Sequence, residues 1–220
     1  MSDKPQNYDY SLKTHIHNLT NFITELDLQN ITLVGHDWGG AIGLSALFER
    51  KDRFKRVIVF NTGAFPPPYI PFRISVCRWP LVGKIGVQGF NMFAGAAVTQ
   101  ATEQPGGLPA DVAAGMLAPY DRWANRVAIY GFVKDIPMSK SHRTYSVLET
   151  LESRLSELAD WPILMMWGMK DWCFREECLL RFEQHWPNAE VHRIQSAGHY
   201  VVEDAAEQVQ QTTADFLARS

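Results

Sequence analysis

The sequence predicts an α/β fold: a mostly parallel sheet of about four strands, interrupted by an inserted helical cap. Three observations predict it. Short strand-like runs at 31–35, at 56–61 where β-branched residues are rich, and again at 162–168 and 190–194 alternate with segments of helical period. Strand, helix and strand fall within about thirty residues, the length of a parallel βαβ unit. Between the second and third strands the alternation stops, and residues 66–158 carry helical character with no clear strand.

Taken in order, residues 10–27 read as a helix, because Tyr10, Ile16, Leu19, Phe22, Ile23 and Leu26 fall near i, i+3, i+4 spacing. Residues 31–35 form a short buried strand, and 41–50 a helix with Ile42, Leu44, Leu47 and Phe48 mostly inward. Residues 56–61 are the second strand. Pro66-Pro67-Pro68 then breaks the pattern, the segment 103–109 is a loop, and Pro119 and Pro137 punctuate the helices of the insertion. The third strand at 162–168, a helix at 176–185, the fourth strand at 190–194 and a closing helix at 205–218 complete the chain. The expected organisation is an N-terminal part of the core with a sharp turn at 1–65, a helical cap at 66–158, and a C-terminal part of the core at 159–220. Ligands of such sheets bind beyond the carboxyl ends of the strands. The insertion leaves from that end of the second strand, where a lid excludes water.

Composition narrows the classes. The 220 residues are 46% hydrophobic with seven Trp and twelve Phe, enough for a core and an aromatic-lined pocket. A net charge of -3 gives no electrostatic case for nucleic acid. No run approaches the roughly 18 apolar residues of a membrane span, and the polar start lacks a signal-peptide core. Cys77, Cys173 and Cys178 fit neither a disulfide framework nor a zinc pattern, and read as reduced thiols of a cytoplasmic protein. No ligand cluster or phosphate loop implies a metal or an organic cofactor.

The chemistry is written at three strand ends. The run Gly35-His36-Asp37-Trp38-Gly39-Gly40 carries the first strand into a small-x-nucleophile-x-small turn, with a carboxylate where such turns usually hold serine. Small residues flank it because a side chain there clashes as the backbone folds back. A carboxylate at the apex attacks carbon and leaves an ester on the enzyme, which water then hydrolyses. Asp171, in Trp167-Gly168-Met169-Lys170-Asp171, and His199, in Ser196-Ala197-Gly198-His199-Tyr200, follow the third and fourth strands. The order nucleophile, acid, base makes His199 the candidate base for water and Asp171 the group that orients its imidazole. Trp38 offers an indole N–H, a donor only, suited to an anionic leaving group; its backbone N–H is a candidate arm of an oxyanion site. Ser45 lies inside the following helix, so a serine esterase fails on geometry.

These motifs, with the cap segments Ala118-Pro119-Tyr120-Asp121 and Trp123-Ala124-Asn125-Arg126, resemble the haloalkane dehalogenases of the α/β-hydrolase superfamily. They look most like the third subfamily, which includes the β-lactone decarboxylases of bacterial olefin biosynthesis. The resemblance implies that Asp37 is the nucleophile, Asp171 the acid, His199 the base and Trp38 a halide- or leaving-group-stabilising donor. It implies cleavage of a carbon–halogen or related bond through an alkyl ester on Asp37. A β-lactone decarboxylase is the alternative, sharing the Asp37 attack but expelling an alkene and carbonate. An epoxide hydrolase needs cap tyrosines, for which Tyr120, Tyr130 and Tyr145 are candidates. Phe90, Met92, Phe93, Trp123, Tyr130 and Phe132 are expected to line an apolar tunnel for a small apolar substrate.

The family carries four strands before the elbow strand and a His-Gly-Asn-Pro-like loop whose asparagine is a second anion donor; here one helix precedes the elbow and no His-Gly-x-Pro occurs. Loss of such a donor costs on the order of 10²–10³ in turnover. A further alternative is therefore an inactive truncated fragment or a binding module. The elbow strand is expected to be an open apolar edge that pairs with a second copy or a partner chain.

Overall fold

The computed structural model describes residues 2–219. Helix α1 (Leu12–Glu25) leads to strand β1 (Ile31–Asp37), which runs directly into α2 (Trp38–Glu49) and on to β2 (Phe54–Thr62). The insertion holds α3 (Phe72–Val76), α4 (Val82–Lys84) with a wide turn Ile85–Gly89, α5 (Met92–Gln100), α6 (Ala110–Leu117), α7 (Val127–Asp135) and α8 (Arg143–Arg154). Then come β3 (Ile163–Gly168), α9 (Glu176–His185), β4 (Glu190–Ile194), α10 (Val201–Asp204) and α11 (Ala206–Arg219). The four strands lie in the order β1-β2-β3-β4, all parallel. The first two strands are longer than their apolar runs, because backbone pairing continues through the polar residues at their ends.

Both faces of the sheet are covered, which is why β2 and β3 read as continuous apolar runs rather than alternating ones. Successive side chains still point to opposite faces. Val57, Val59, Met165 and Trp167 join the core beneath α2, α8 and α9, with Leu44, Leu47, Phe182 and Trp186. Ile58, Phe60, Leu164 and Met166 join the core beneath α10 and α11, with Val201, Val209 and Phe216. Leu148 and Leu151 of α8 and the following Leu155 and Leu158 belong to the first of these cores. The helical insertion therefore re-enters the main body at α8, before the expected boundary at 158. A separate small cluster of Val87, Ile129 and Val133 holds the cap helices together.

A buried carboxylate fastens the cap to α1. Asp135 accepts from the Leu12 backbone N–H at 2.7 Å, from Thr144 Oγ1 at 2.8 Å and from Arg143 Nε at 3.0 Å. Strand β1 is at the sheet edge, with Val34 59% exposed, and Phe22 of α1 and Leu26 just after it are also exposed.

Candidate functional site

The turn from β1 to α2 holds Asp37 at φ 51°, ψ -130°, a conformation that a non-glycine residue rarely adopts. Strain of this kind costs about 1–3 kcal/mol and persists where its surroundings over-determine it. Here they do. Thr62 Oγ1 donates to the Asp37 carbonyl oxygen, and the backbone of the turn closes on itself. A Cβ at Gly35 would sit 2.9 Å from the Gly40 Cα, and one at Gly40 would sit 2.0 Å from Thr62 Oγ1. A Cβ at Gly39 would meet nothing within 4 Å, so that glycine is not demanded by contact. Gly40→Ala is expected to destabilise the fold by about 1–3 kcal/mol through overpacking against Thr62, and Gly39→Ala by less. Urea midpoints of the two variants check this.

Asp37, Asp171 and His199 meet at the carboxyl end of the sheet. His199 Nδ1 lies 2.8 Å from Asp171 Oδ2, and His199 Nε2 lies 4.0 Å from Asp37 Oδ2. Asp171 is buried; its other oxygen accepts from the Cys173 backbone N–H at 2.6 Å. With Nδ1–H donated to Asp171, the Nε2 lone pair faces Asp37. Burial pulls the His199 pKa down, but the hydrogen bond and charge of Asp171, with the charge of Asp37, outweigh it and leave the pKa above 6.5. His36 Nε2 lies 2.9 Å from the His199 carbonyl oxygen, the two rings 4.5 Å apart. Burial first, and the neighbouring His199 second, push the His36 pKa down, so His36 is the neutral donor of that bond.

Trp38 lines the same cavity, packed against Phe132 with centroids 5.9 Å apart, and its indole N–H has no acceptor among the described residues. Cys173 also lines the cavity. Burial, then the charges of Asp37 and Asp171, raise its pKa well above 9.0, so it is a neutral thiol and no rival nucleophile. The cavity holds about 670 Å³ and is walled mainly by apolar side chains of the cap and α2. Of the expected tunnel residues, Met92, Phe93 and Phe132 line it, whereas Phe90, Trp123 and Tyr130 do not. Phe90 and Trp123 point outward, and Tyr130 packs on the small cap cluster. Of the three cap tyrosines named for an epoxide, Tyr120 reaches the cavity and Tyr130 and Tyr145 do not. Among the described residues no group of three or more His, Cys, Asp or Glu is placed to hold a metal ion.

Three residues that the motifs did not single out for the site hold the loops that carry Asp171 and His199. Asn61, fully buried at the end of β2, donates to the Gly168 carbonyl at 3.0 Å and accepts from the Gly168 N–H at 2.7 Å, standing in for a ladder rung below Asp171. Tyr69 places its hydroxyl 2.7 Å from the Trp172 carbonyl and 2.6 Å from that of Cys173. Asp204 accepts from the Gly198 N–H at 2.8 Å and the Glu103 N–H at 3.0 Å, and pairs with Thr102 Oγ1. The segment 100–104 of the cap thus spans both loops: the Ala101 carbonyl accepts from the Tyr200 N–H at 2.8 Å and the Gln100 carbonyl from Trp172 Nε1 at 2.8 Å. The cap and the loops that carry Asp171 and His199 are one hydrogen-bonded unit.

Residues 2–211 match the model of the alpha/beta hydrolase family. A cis-3-alkyl-4-alkyloxetan-2-one decarboxylase of Shewanella oneidensis is 37% identical over 216 residues, covering 95% of this chain and 67% of that protein. The decarboxylase of the same description from Xanthomonas campestris is 35% identical over 231 residues, covering 100% and 76%. Among solved structures, the haloalkane dehalogenase DatA of Agrobacterium tumefaciens superposes with a TM-score of 0.88 at 23% identity, covering 100% of this chain and 76% of that one. The last of these is a likeness of fold.

Proposed function

The chain belongs to the alpha/beta hydrolase family, related to haloalkane dehalogenases and to β-lactone decarboxylases, and from that premise we propose that it decarboxylates a β-lactone bearing two alkyl groups. The observation that carries this reading is the identity of 35–37% with two enzymes described as cis-3-alkyl-4-alkyloxetan-2-one decarboxylases, over nearly the whole chain. The apolar cavity supports it, having room for two alkyl chains above a carboxylate, a base and an indole donor.

In this reading Asp37 adds to the lactone carbonyl carbon through one carboxylate oxygen. The bond from that carbon to C3 breaks and its electron pair forms the C3=C4 double bond. The C4–O bond breaks in the same sense, with its pair left on oxygen. An alkene departs, and Asp37 keeps a carboxy group as a mixed carbonic anhydride. Both alkyl groups leave from the ring without rotation about C3–C4, so a cis lactone gives a cis alkene. Trp38, by its indole and backbone N–H, stabilises the negative charge that grows on the lactone oxygens. His199 then takes a proton from water, which attacks the carboxy carbon and releases bicarbonate and free Asp37. Asp171 holds the imidazole in the tautomer this needs.

The test is product analysis. A cis-3,4-dialkyl β-lactone should yield the cis alkene with an equivalent of bicarbonate. Halide release from a bromoalkane at a higher kcat/KM than lactone turnover would replace this reading with dehalogenation.

The three cysteines, free among the described residues, support a cytoplasmic setting, and no helix among those residues is long and apolar enough to cross a membrane. The open edge of β1, with Val34 exposed, supports association of a further strand there, from a second copy or a partner chain.

A further inference from the structure

The first part of the cap turns its large apolar side chains outward. Phe72 is 75% exposed, Leu81 71% and Phe90 75%, and Trp79, Val82, Ile85 and Met92 are exposed as well. A scattered exposed apolar residue needs no explanation, whereas a contiguous patch marks a contact surface. These fall within one stretch of chain, 72–92, and several of them touch. Phe72 and Trp79 meet edge to face with centroids 6.4 Å apart. Gly86 leaves room beside the Met92 sulfur, and Gly89 lies between Ile85 and the exposed Trp123. Leu81 is held at φ 64°, a left-handed turn on which the Leu81 side chain stands out from the surface.

The charge of the same stretch departs from that of the whole chain. The protein carries a net -3, yet no Asp or Glu occurs between Asp52 and Glu103. Within 66–101 the charged residues are Arg73, Arg78 and Lys84, all cationic. None forms an ion pair with a carboxylate among the described residues, and only Arg78 feels one, the charge of Asp135. Arg73 donates to Gln100 Oε1 and lies over the Trp172 ring, Arg78 donates to the carbonyls of Val133, Lys134 and Ile136, and Lys84 is exposed. The patch adjoins the entrance of the large cavity, because Arg73 and Met92 belong to both.

We infer that the face formed by residues 72–92 of the cap docks the enzyme on an anionic lipid bilayer. Apolar side chains enter the boundary between headgroups and acyl chains, and the exposed Lys84 faces the lipid phosphates. A cationic surface without a carboxylate complements an anionic bilayer, and the outward Trp and Phe are the residues that settle at such a boundary. The docking stands without the lactone reading. If that reading holds, the same face sets the cavity mouth against the phase in which a dialkyl substrate dissolves.

The experiment is co-sedimentation of the intact chain with phosphatidylcholine vesicles, with and without phosphatidylglycerol, at low and high salt. Binding is expected to the anionic vesicles and to weaken with salt. Lys84→Glu should weaken it by about fivefold or more, since one cation near an anionic surface contributes a factor of that order. A Phe72→Ser, Leu81→Ser, Phe90→Ser variant should lose binding while keeping its melting temperature and its turnover of a short-chain soluble substrate. None of those three side chains lines the cavity. In the unmodified protein, brominated lipid should quench a fluorescence component that Trp79→Phe removes. No binding by the unmodified protein overturns the proposal, as does binding that survives the triple substitution. A dimer that the triple substitution splits, with no vesicle binding, would assign the face to a second copy instead.

Discussion

Asp37→Asn is expected to lower turnover by on the order of 10⁴-fold or more while leaving the fold intact, because the variant keeps the shape of the side chain and loses its nucleophile. The fold survives for a local reason. Position 37 sits at φ 51°, and Asn tolerates that conformation better than most residues. Thr62 also continues to donate to the residue 37 carbonyl, a backbone contact that the substitution does not touch. Asp37→Ala should be as inactive and less stable, since alanine gains nothing to offset the left-handed strain. Turnover of a cis-dialkyl β-lactone by gas chromatography, with urea unfolding beside it, separates chemistry from folding. An Asn variant that keeps more than a tenth of the activity would remove Asp37 from the reaction.

Asp171→Asn is expected to act on rate and on pH dependence together. Burial alone depresses the His199 pKa; the hydrogen bond and charge of Asp171 raise it above 6.5. In the proposed reaction His199 works as neutral imidazole, so activity of the unmodified enzyme should rise with pH through a value above 6.5. Removing the carboxylate leaves burial unopposed by its largest counterweight, and the acid limb should move down. The maximum should fall by on the order of 10⁴, because the amide no longer holds Nδ1–H toward itself and Nε2 toward water. The same shift has a sign for stability. A His pKa raised on folding stabilises the protein below the unfolded value near 6.5, and that contribution is lost as pH rises through the folded value. A rate profile from pH 5 to 9 for both proteins decides it: an unshifted acid limb would show that another group titrates there.

The sheet and the three residues that meet at its carboxyl end were legible because each rests on a short-range pattern. A β-branched run marks β2 and a short apolar run marks β3, the glycines around Asp37 mark a turn too tight for side chains, and Asp171 and His199 follow strands directly. The supports were not legible. Asn61 bonds a residue 107 positions away, Tyr69 residues 103 and 104 away, and Asp204 residues about a hundred away. No local period announces such pairs. The cap was the hardest part to read. Its aromatics were expected in a tunnel, but α4 is one turn, the segment after it is a wide turn, and Phe90 lies where the chain leaves that turn for α5. A segment without a sustained helical period does not tell inside from outside. The misplacement of Phe90 and Trp123 is also the observation from which the docking face follows.

The most direct test of the central claim is a single-turnover mass measurement on the His199→Phe variant, in which attack by Asp37 survives and water activation stops. Offered a cis-dialkyl β-lactone, the variant should release about one equivalent of cis alkene and then stall. A bromoalkane or an epoxide offered separately should leave no stable ester on the peptide containing Asp37. An alkyl ester on Asp37 from the bromoalkane, with no alkene burst from the lactone, would contradict the decarboxylase reading and return the site to dehalogenation. No adduct and no burst from any of the three, in folded protein, would contradict nucleophilic catalysis by Asp37 altogether.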